Sequence, residues 1–240
     1  HKYKFLLKNM GLLTLSNFGT KILSFVMIPI YSRILSTGDY GTYDVYVTTV
    51  SLLIPILSLN IVEAVLRFTL DASKKKSDVF NVGLIRVLQA IFIFAALVAV
   101  NEIFEIIPLF AQCSYYLILL FAGSLLYDLF AQYCSGVERI ADVAVAGVLN
   151  SVGMLVSNVL FLVVIPMGVH GYFLAHCVAY YLPILYFMLR LRLWEYFTWK
   201  LPPKTLKADM FRYSRPLVMN TVAWWINNAS DRYVVTWLCG

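Results

Sequence analysis

Residues 79–100 read VFNVGLIRVLQAIFIFAALVAV, an apolar run long enough to cross a bilayer as one helix. About 20 helical residues, rising 1.5 Å each, span the roughly 30 Å of hydrocarbon in a membrane. The chain holds seven such stretches, of which six are complete. They centre near Lys21, Ile56, Ile91, Ala122, Leu155, Ala179 and Trp225. The sequence therefore predicts an all-α, polytopic transmembrane helix bundle.

The composition supports the same class of protein. Hydrophobic residues make up 61% of the 240 residues and charged residues only 13%, whereas soluble domains carry about 25% charged residues. We expect residues 1–190 to form a six-helix N-terminal lobe and residues 191–215 a basic, aromatic linker at the cytoplasmic interface. Residues 216–240 are then the first helix of a truncated second lobe, so we expect the chain to be the N-terminal portion of a longer protein.

The basic residues predict an orientation. Fifteen Lys and Arg residues lie in the N-terminal segment and in alternate loops, whereas the opposite loops hold only Arg33. Short loops rich in Lys and Arg stay in the cytoplasm. We therefore expect a multi-pass protein of the cytoplasmic (inner) membrane with its N-terminus inside. The same distribution makes nucleic acid an unlikely reason for the net charge of +6.

Four cysteines and three histidines show neither CxxC nor HExxH spacing. The sequence therefore predicts no metal site, no redox site and no cofactor.

Every apolar stretch also carries polar residues three or four positions apart. Such stripes serve either a packed bundle, in which they form hydrogen bonds between helices, or a water-filled cavity. Charged groups favour the cavity, because a charge near the middle of a bilayer costs about 2.5–3.5 kcal/mol on insertion scales. The charged residues that favour the cavity are Lys21, Arg86, Asp128 and Asp231.

These stripes supply the candidate site residues. Cations suit a phosphorylated substrate, since the planar guanidinium of arginine donates two hydrogen bonds at once. For Arg67, a role as a positive anchor on the cytoplasmic side is an equally good interpretation. The ring of Trp224 suits stacking on sugar rings, and the alternative is packing inside the protein or contact with lipid. The candidate substrate-binding residues are Lys21, Arg86, Arg67, Asn17, Trp224 and Asn228, and the candidates for ion coupling are Asp128 and Asp231.

Three segments resemble polysaccharide flippases. Residues 31–43, YSRILSTGDYGTY, are similar to the first outer loop of these proteins. Leu66-Arg67-Phe68 resembles an Arg-aromatic pair after their second helix, and residues 228–233, NASDRY, resemble an Asp-Arg step in their seventh. With the helix spacing, the resemblance covers essentially the whole chain. It identifies the chain as similar to the lipid-linked oligosaccharide flippases of the multidrug/oligosaccharidyl-lipid/polysaccharide exporter superfamily.

The resemblance implies two six-helix lobes around a cationic cavity, and transport of a polyprenyl-diphosphate-linked oligosaccharide for O-antigen, capsule or exopolysaccharide synthesis. Asp128 and Asp231 leave coupling to a counter-ion, Na⁺ or H⁺, as an open option, and the sequence does not name the ion. Peptidoglycan-precursor flippases carry several cations in their first helix, whereas this chain has Lys21 and, in the next turns, Met27 instead of a second cation. This difference favours an O-antigen, capsule or exopolysaccharide unit over a peptidoglycan precursor. The alternatives are a cation-coupled drug antiporter of the same superfamily, a scaffold, or a membrane-embedded polymerase or acyltransferase. A polymerase or acyltransferase would be an enzyme, and the sequence shows no set of side chains spaced for catalysis.

Overall fold

The structure is a computed structural model that describes residues 36–111, 113–193 and 202–239. For residues 37, 111 and 229–239 it describes the backbone only. Within these ranges every regular element is helical: α1 (Thr37–Ser58), α2 (Ile61–Leu70), α3 (Lys76–Phe104), α4 (Pro108–Ala111), α5 (Ser114–Gly136), α6 (Ile140–Asn158), α7 (Gly168–Leu191) and α8 (Lys204–Cys239). The predicted all-helical bundle is confirmed.

Four of the described helices are long and apolar enough to cross a membrane. They are α3, α5, α7, and α6 together with the π-helical segment Val159–Val164 that continues it. Helices α1 and α2 also pass this test together, as one span broken by a bend of 57°. The predicted stretch near Lys21 lies outside the described residues.

The bend between α1 and α2 results from two residues in the left-handed backbone region. Leu59 has φ 56° and Asn60 has φ 53°, and neither is glycine. A helix cannot continue through such residues. Pro55, one turn earlier, already lacks the N–H that would bond within the helix. The span near Ile56 is therefore two helices that meet at an angle.

Helix α5 lies at the centre of the bundle. Its buried side chains include Phe121, Leu125 and Leu129. Ring stacking joins Phe121 to Phe94 of α3 at a centroid distance of 4.3 Å, and Tyr116 to Phe173 of α7 at 4.8 Å. The other elements that α5 contacts are α1, α2, α4 and α6.

The predicted boundary between linker and last helix differs from the structure. Helix α8 begins at Lys204, so residues 204–215 of the predicted linker are helical and continue into the last helix. Pro202 and Pro203 precede the first turn, where proline is tolerated because its missing N–H has no partner there. Leu206 and Met210 are buried along one side of these turns, at helical spacing. The division into two lobes stays a prediction.

Most of the basic loops lie at one end of the bundle, which we call the basic end. Gly136, at the end of α5, lies against Thr69 near the end of α2. Arg139 and Arg190 both lie within salt-bridge distance of Asp142, at 3.6 and 3.9 Å. These contacts bring the end of α2 to the α5–α6 turn, and that turn to the end of α7.

Two glycines let α2 approach α3 and α5 very closely. A Cβ atom at Gly83 of α3 would lie 2.5 Å from a methyl group of Val65, and one at Gly136 would lie 2.6 Å from Cβ of Thr69. Small residues let transmembrane helices approach closely, and the gain in van der Waals contact stabilises the pair. No larger residue fits at either position without moving α2.

We expect Gly136→Ala to lower the free energy of unfolding by about 1–3 kcal/mol, because overpacking forces helices apart. Gly41→Ala is the matched control, since a Cβ atom at Gly41 of α1 meets nothing within 4 Å. Steric-trapping measurements in bicelles would compare the two variants. Equal stability of both would contradict the close approach of α2 and α5.

Candidate functional site

Arg86 reaches the broken end of α1. Its half-buried guanidinium donates hydrogen bonds to the carbonyl groups of Leu57 and Ser58, the second at 3.4 Å. These carbonyl groups are left open because the helix stops at Leu59. A cation at this position also meets the negative end of the helix dipole. Arg86 therefore caps α1, a role that the sequence did not predict.

Helix α8 docks on the same break. The amide of Asn60 donates to the hydroxyl of Thr221 at 2.7 Å. The indole N–H of Trp225 lies 3.1 Å from the Ser51 hydroxyl and 3.3 Å from the Thr48 carbonyl oxygen. The break and the polar residues just before it therefore form the surface on which α8 rests.

The candidate residues on α8 lie beside this contact. Trp224 is 61% exposed and Asn228 is also exposed, whereas Trp225 is the tryptophan that bonds to α1. Asn220, Trp224 and Asn228 follow each other every four residues and form a polar stripe along the helix. Asp231 lies in the same helix, and its side chain is not among those described.

Asp128 is exposed on the central helix α5. Glu63 of α2, also exposed, is close enough for its charge to act on Asp128. Within the described ranges Asp128 forms no salt bridge or hydrogen bond, and no group of three metal-ligating side chains occurs there. Two carboxylates on neighbouring helices of the bundle are thus near enough to influence one another. The sequence reasoning missed Glu63, although a carboxylate in the apolar run IVEAVL was the available signal.

Arg67 lies at the opposite end of α2 from Arg86. Its guanidinium sits 5.2 Å from the ring centroid of Tyr213 in α8, a cation–π distance. The groove beside it holds about 340 Å³. About 11 Å of helix separates Arg67 from the break, at 1.5 Å per residue. The guanidinium groups of Arg86 and Arg67 therefore lie toward opposite ends of α2, and their role in substrate binding stays a prediction.

The same groove is bordered by Asp71. The Ser73 hydroxyl donates to its carboxylate at 2.7 Å, and the Ser73 backbone N–H does so at 2.9 Å. These hydrogen bonds, the hydroxyl's first, hold the pKa of Asp71 below its usual range. Asp71 is therefore ionised at neutral pH, and the groove offers one cation and one anion.

Several predicted stripe residues serve helix packing. The hydroxyl of Tyr43 in α1 donates to Nε2 of His176 at 2.5 Å, and Nδ1 of His176 lies 3.3 Å from the Tyr172 carbonyl oxygen. The amide of Asn150 in α6 donates to the Ala179 carbonyl oxygen of α7 at 2.7 Å. On α6 and α7 these residues therefore match the packed-bundle alternative.

Lys21 and Asn17, the remaining candidates, lie outside the described residues. The structure thus brings Arg86 to the α1–α2 break and Arg67 to the basic end, and it leaves Asp128, Trp224 and Asn228 exposed.

We expect Arg86→Gln to lower the free energy of unfolding by about 1.5–3 kcal/mol, because a charged donor to backbone carbonyls is lost. Arg67→Gln is the matched control and should cost at most about 1 kcal/mol, since its cation–π contact is exposed. Thermal unfolding in detergent, calibrated by steric trapping, would measure both. Unchanged stability of Arg86→Gln would contradict the capping role.

Comparisons with known proteins agree with the fold. A family model described as "polysaccharide biosynthesis protein" matches residues 6–240. A solved structure, an outward-facing multidrug resistance MATE family transporter of the MOP superfamily, aligns with a TM-score of 0.58 at 18% sequence identity. The alignment covers 89% of this chain and 50% of that protein, so the chain spans about half its length. No curated protein sequence matches the chain.

Proposed function

The chain belongs to the polysaccharide biosynthesis protein family, and from this premise we propose that it is part of a flippase for a polyprenyl-diphosphate-linked oligosaccharide. The family match carries the proposal. The similarity in fold to a transporter supports it, since a flippase and a drug exporter face the same task of moving an amphiphile between leaflets. The product would be a surface polysaccharide such as O-antigen, capsule or exopolysaccharide.

The physical task is to move a diphosphate and its sugars through hydrocarbon. An isolated charge in a low-dielectric medium costs many kcal/mol, so the headgroup needs a polar, hydrated path while its lipid tail remains in the bilayer. We assign the cationic part of that path to Lys21, with Asn17 beside it. Arg67 contributes at the basic end, where its guanidinium borders a groove. Trp224 and Asn228 offer an exposed aromatic and amide surface for sugars.

Arg86 takes a different place in this proposal. Its guanidinium is engaged by carbonyl groups of α1, so it acts on transport through the shape of the broken span and not by contact with substrate. The basic end is assigned to the cytoplasm because the positive-inside rule places short basic loops there. Substrate then enters from the cytoplasmic leaflet near Arg67.

Ion coupling is assigned to Asp128 and Asp231. A carboxylate within the membrane that meets a second carboxylate favours capture of H⁺ or Na⁺, since like charges at short range disfavour two ionised groups. Asp128 and Glu63 meet this condition. Alternation of the two lobes would convert ion entry into substrate movement.

A cation-coupled drug antiporter is the second candidate. The same pair of carboxylates favours it, because carboxylates in a cavity suit cationic drugs, and the solved structure with a similar fold is named for multidrug resistance. The two functions differ in substrate charge, so one assay with both substrates separates them.

Proteoliposomes that contain the intact membrane protein would test the proposal directly. We expect the protein to move a polyprenyl-diphosphate-linked oligosaccharide between leaflets, and Lys21→Ala to lower the initial rate about tenfold or more through loss of a cation from the path. Lys74→Ala, in the loop after α2, is the matched control and should retain the rate. Transport of cationic dyes without oligosaccharide would favour the antiporter. Full activity of Lys21→Ala would overturn the role of Lys21.

The ion assignment has its own test. We expect Asp128→Asn to abolish the dependence of the transport rate on an imposed Na⁺ or H⁺ gradient, because the neutral amide does not bind either cation strongly. Asp209→Asn, an exposed carboxylate near the start of α8, is the control. Rates with and without a gradient would be compared in each variant. A gradient response of Asp128→Asn equal to that of the unsubstituted protein would contradict the assignment.

A further inference from the structure

The first turns of α8 carry a strongly basic face. Lys204, Lys207, Arg212 and Arg215 line a groove of about 590 Å³ with Phe211 among them. Successive residues are about 100° apart around a helix, so these side chains share one side. Asp209 is not among the residues that line the groove. In the described ranges, none of the four cations forms an ion pair.

Phe211 organises two of these cations. Nζ of Lys207 lies 6.0 Å from the ring centroid of Phe211, and Cζ of Arg215 lies 5.9 Å from it. Both distances fall at the outer limit of cation–π contact, so the ring holds the charges near one another despite their repulsion. Positive charges gathered without a carboxylate attract an anion more strongly than charges spread along a loop.

The side of α8 that lies beyond the groove is apolar. At the same helical phase, Met219 is 75% exposed and Ile226 is 56% exposed. Along one line the helix thus presents cations first and an apolar track afterwards. The opposite side is already occupied, since Leu206 and Met210 are buried and Tyr213 contacts Arg67 of α2.

The groove also lies at the basic end of the bundle. Arg67 and Phe68, which contact Tyr213, are in the last turn of α2 at this end. From there α8 continues past Pro216 to Trp225, which bonds to α1, a part of the broken candidate span. The cations therefore lie at the basic end, and the apolar track begins there and runs on beside that span.

We propose that this face of α8 binds an anionic phospholipid, with the phosphate in the groove of Lys204, Lys207, Arg212 and Arg215 and an acyl chain along Met219 and Ile226. Basic residues at the membrane end of a helix bind acidic headgroups. The apolar track favours a lipid over a soluble phosphate, because a soluble phosphate has no acyl chain to contact it. The site is separate from the transport path and independent of the transported substrate.

Native mass spectrometry of the intact protein would test the site with phosphatidylglycerol and phosphatidylcholine at equal concentration. We expect retention of phosphatidylglycerol in preference to phosphatidylcholine, and a drop of that preference by about tenfold in K204Q/K207Q/R215Q, since each cation near a membrane surface adds to the attraction. The control K74Q/K75Q/K76Q removes three cations from the loop at the same end and should keep the preference. Unfolding temperatures without added lipid would verify that both variants are folded, and K207Q/R215Q replaces the triple variant if it is not.

Three results would overturn the proposal. They are equal retention of both lipids by the unsubstituted protein, an equal loss of preference in the two triple variants, and displacement of phosphatidylglycerol by equimolar inorganic pyrophosphate. The first two results would show that the groove has no specific affinity for an anionic lipid beyond the overall positive charge of this end. The third would show that the groove binds a soluble phosphate.

Discussion

Inside a bilayer, a helix that stops exposes carbonyl groups that water cannot satisfy. Helix α1 stops in this way at Leu59, and the guanidinium of Arg86 donates to the carbonyl groups of Leu57 and Ser58. This donor therefore stabilises the bend between α1 and α2. A residue that looks like part of a substrate path is thus required by the backbone.

The other contacts of the bundle are built around this bend. Helix α8 rests on it through Asn60, Thr221 and Trp225. The bend also directs α2 between α3 and α5, where Gly83 and Gly136 leave room for it. Glu63 lies on the resulting short helix, near enough for its charge to act on Asp128. One break in one span therefore positions a helix–helix contact, a glycine-lined packing surface and a pair of carboxylates.

The sequence predicted the fold class well because the signal is repeated in each span. Runs such as residues 79–100 report directly on length and hydropathy, and these decide whether a helix crosses a membrane. The site was predicted less well, because a charged residue in a helix does not reveal where its side chain goes. Arg86 and Arg67 were both proposed to bind substrate because of their charge, but the guanidinium of Arg86 bonds to the end of α1 and that of Arg67 lies beside Tyr213 of α8.

Other differences between prediction and structure also arise where the sequence carries only a weak local signal. The left-handed conformation of Leu59 and Asn60 has no strong local signal, since neither residue is glycine. If the break is not recognised, the run IVEAVLRF is interpreted as the end of a straight span. Glu63 is then overlooked, because its neighbours in the sequence are apolar. The start of α8 was placed too late because charged residues were read as a loop, although Leu206 and Met210 keep helical spacing.

The π-helical segment Val159–Val164 has a consequence for how this span tolerates a change in length. The Ile165 N–H donates to the Leu160 carbonyl oxygen, five residues earlier, at 2.9 Å. A π-turn holds more residues than an α-helical turn, because its hydrogen bonds join residues five apart rather than four. Removal of one residue from this segment would therefore leave enough residues for a regular α-helical turn. A one-residue deletion here would disturb the packing of α6 against α7 less than a deletion elsewhere in the span.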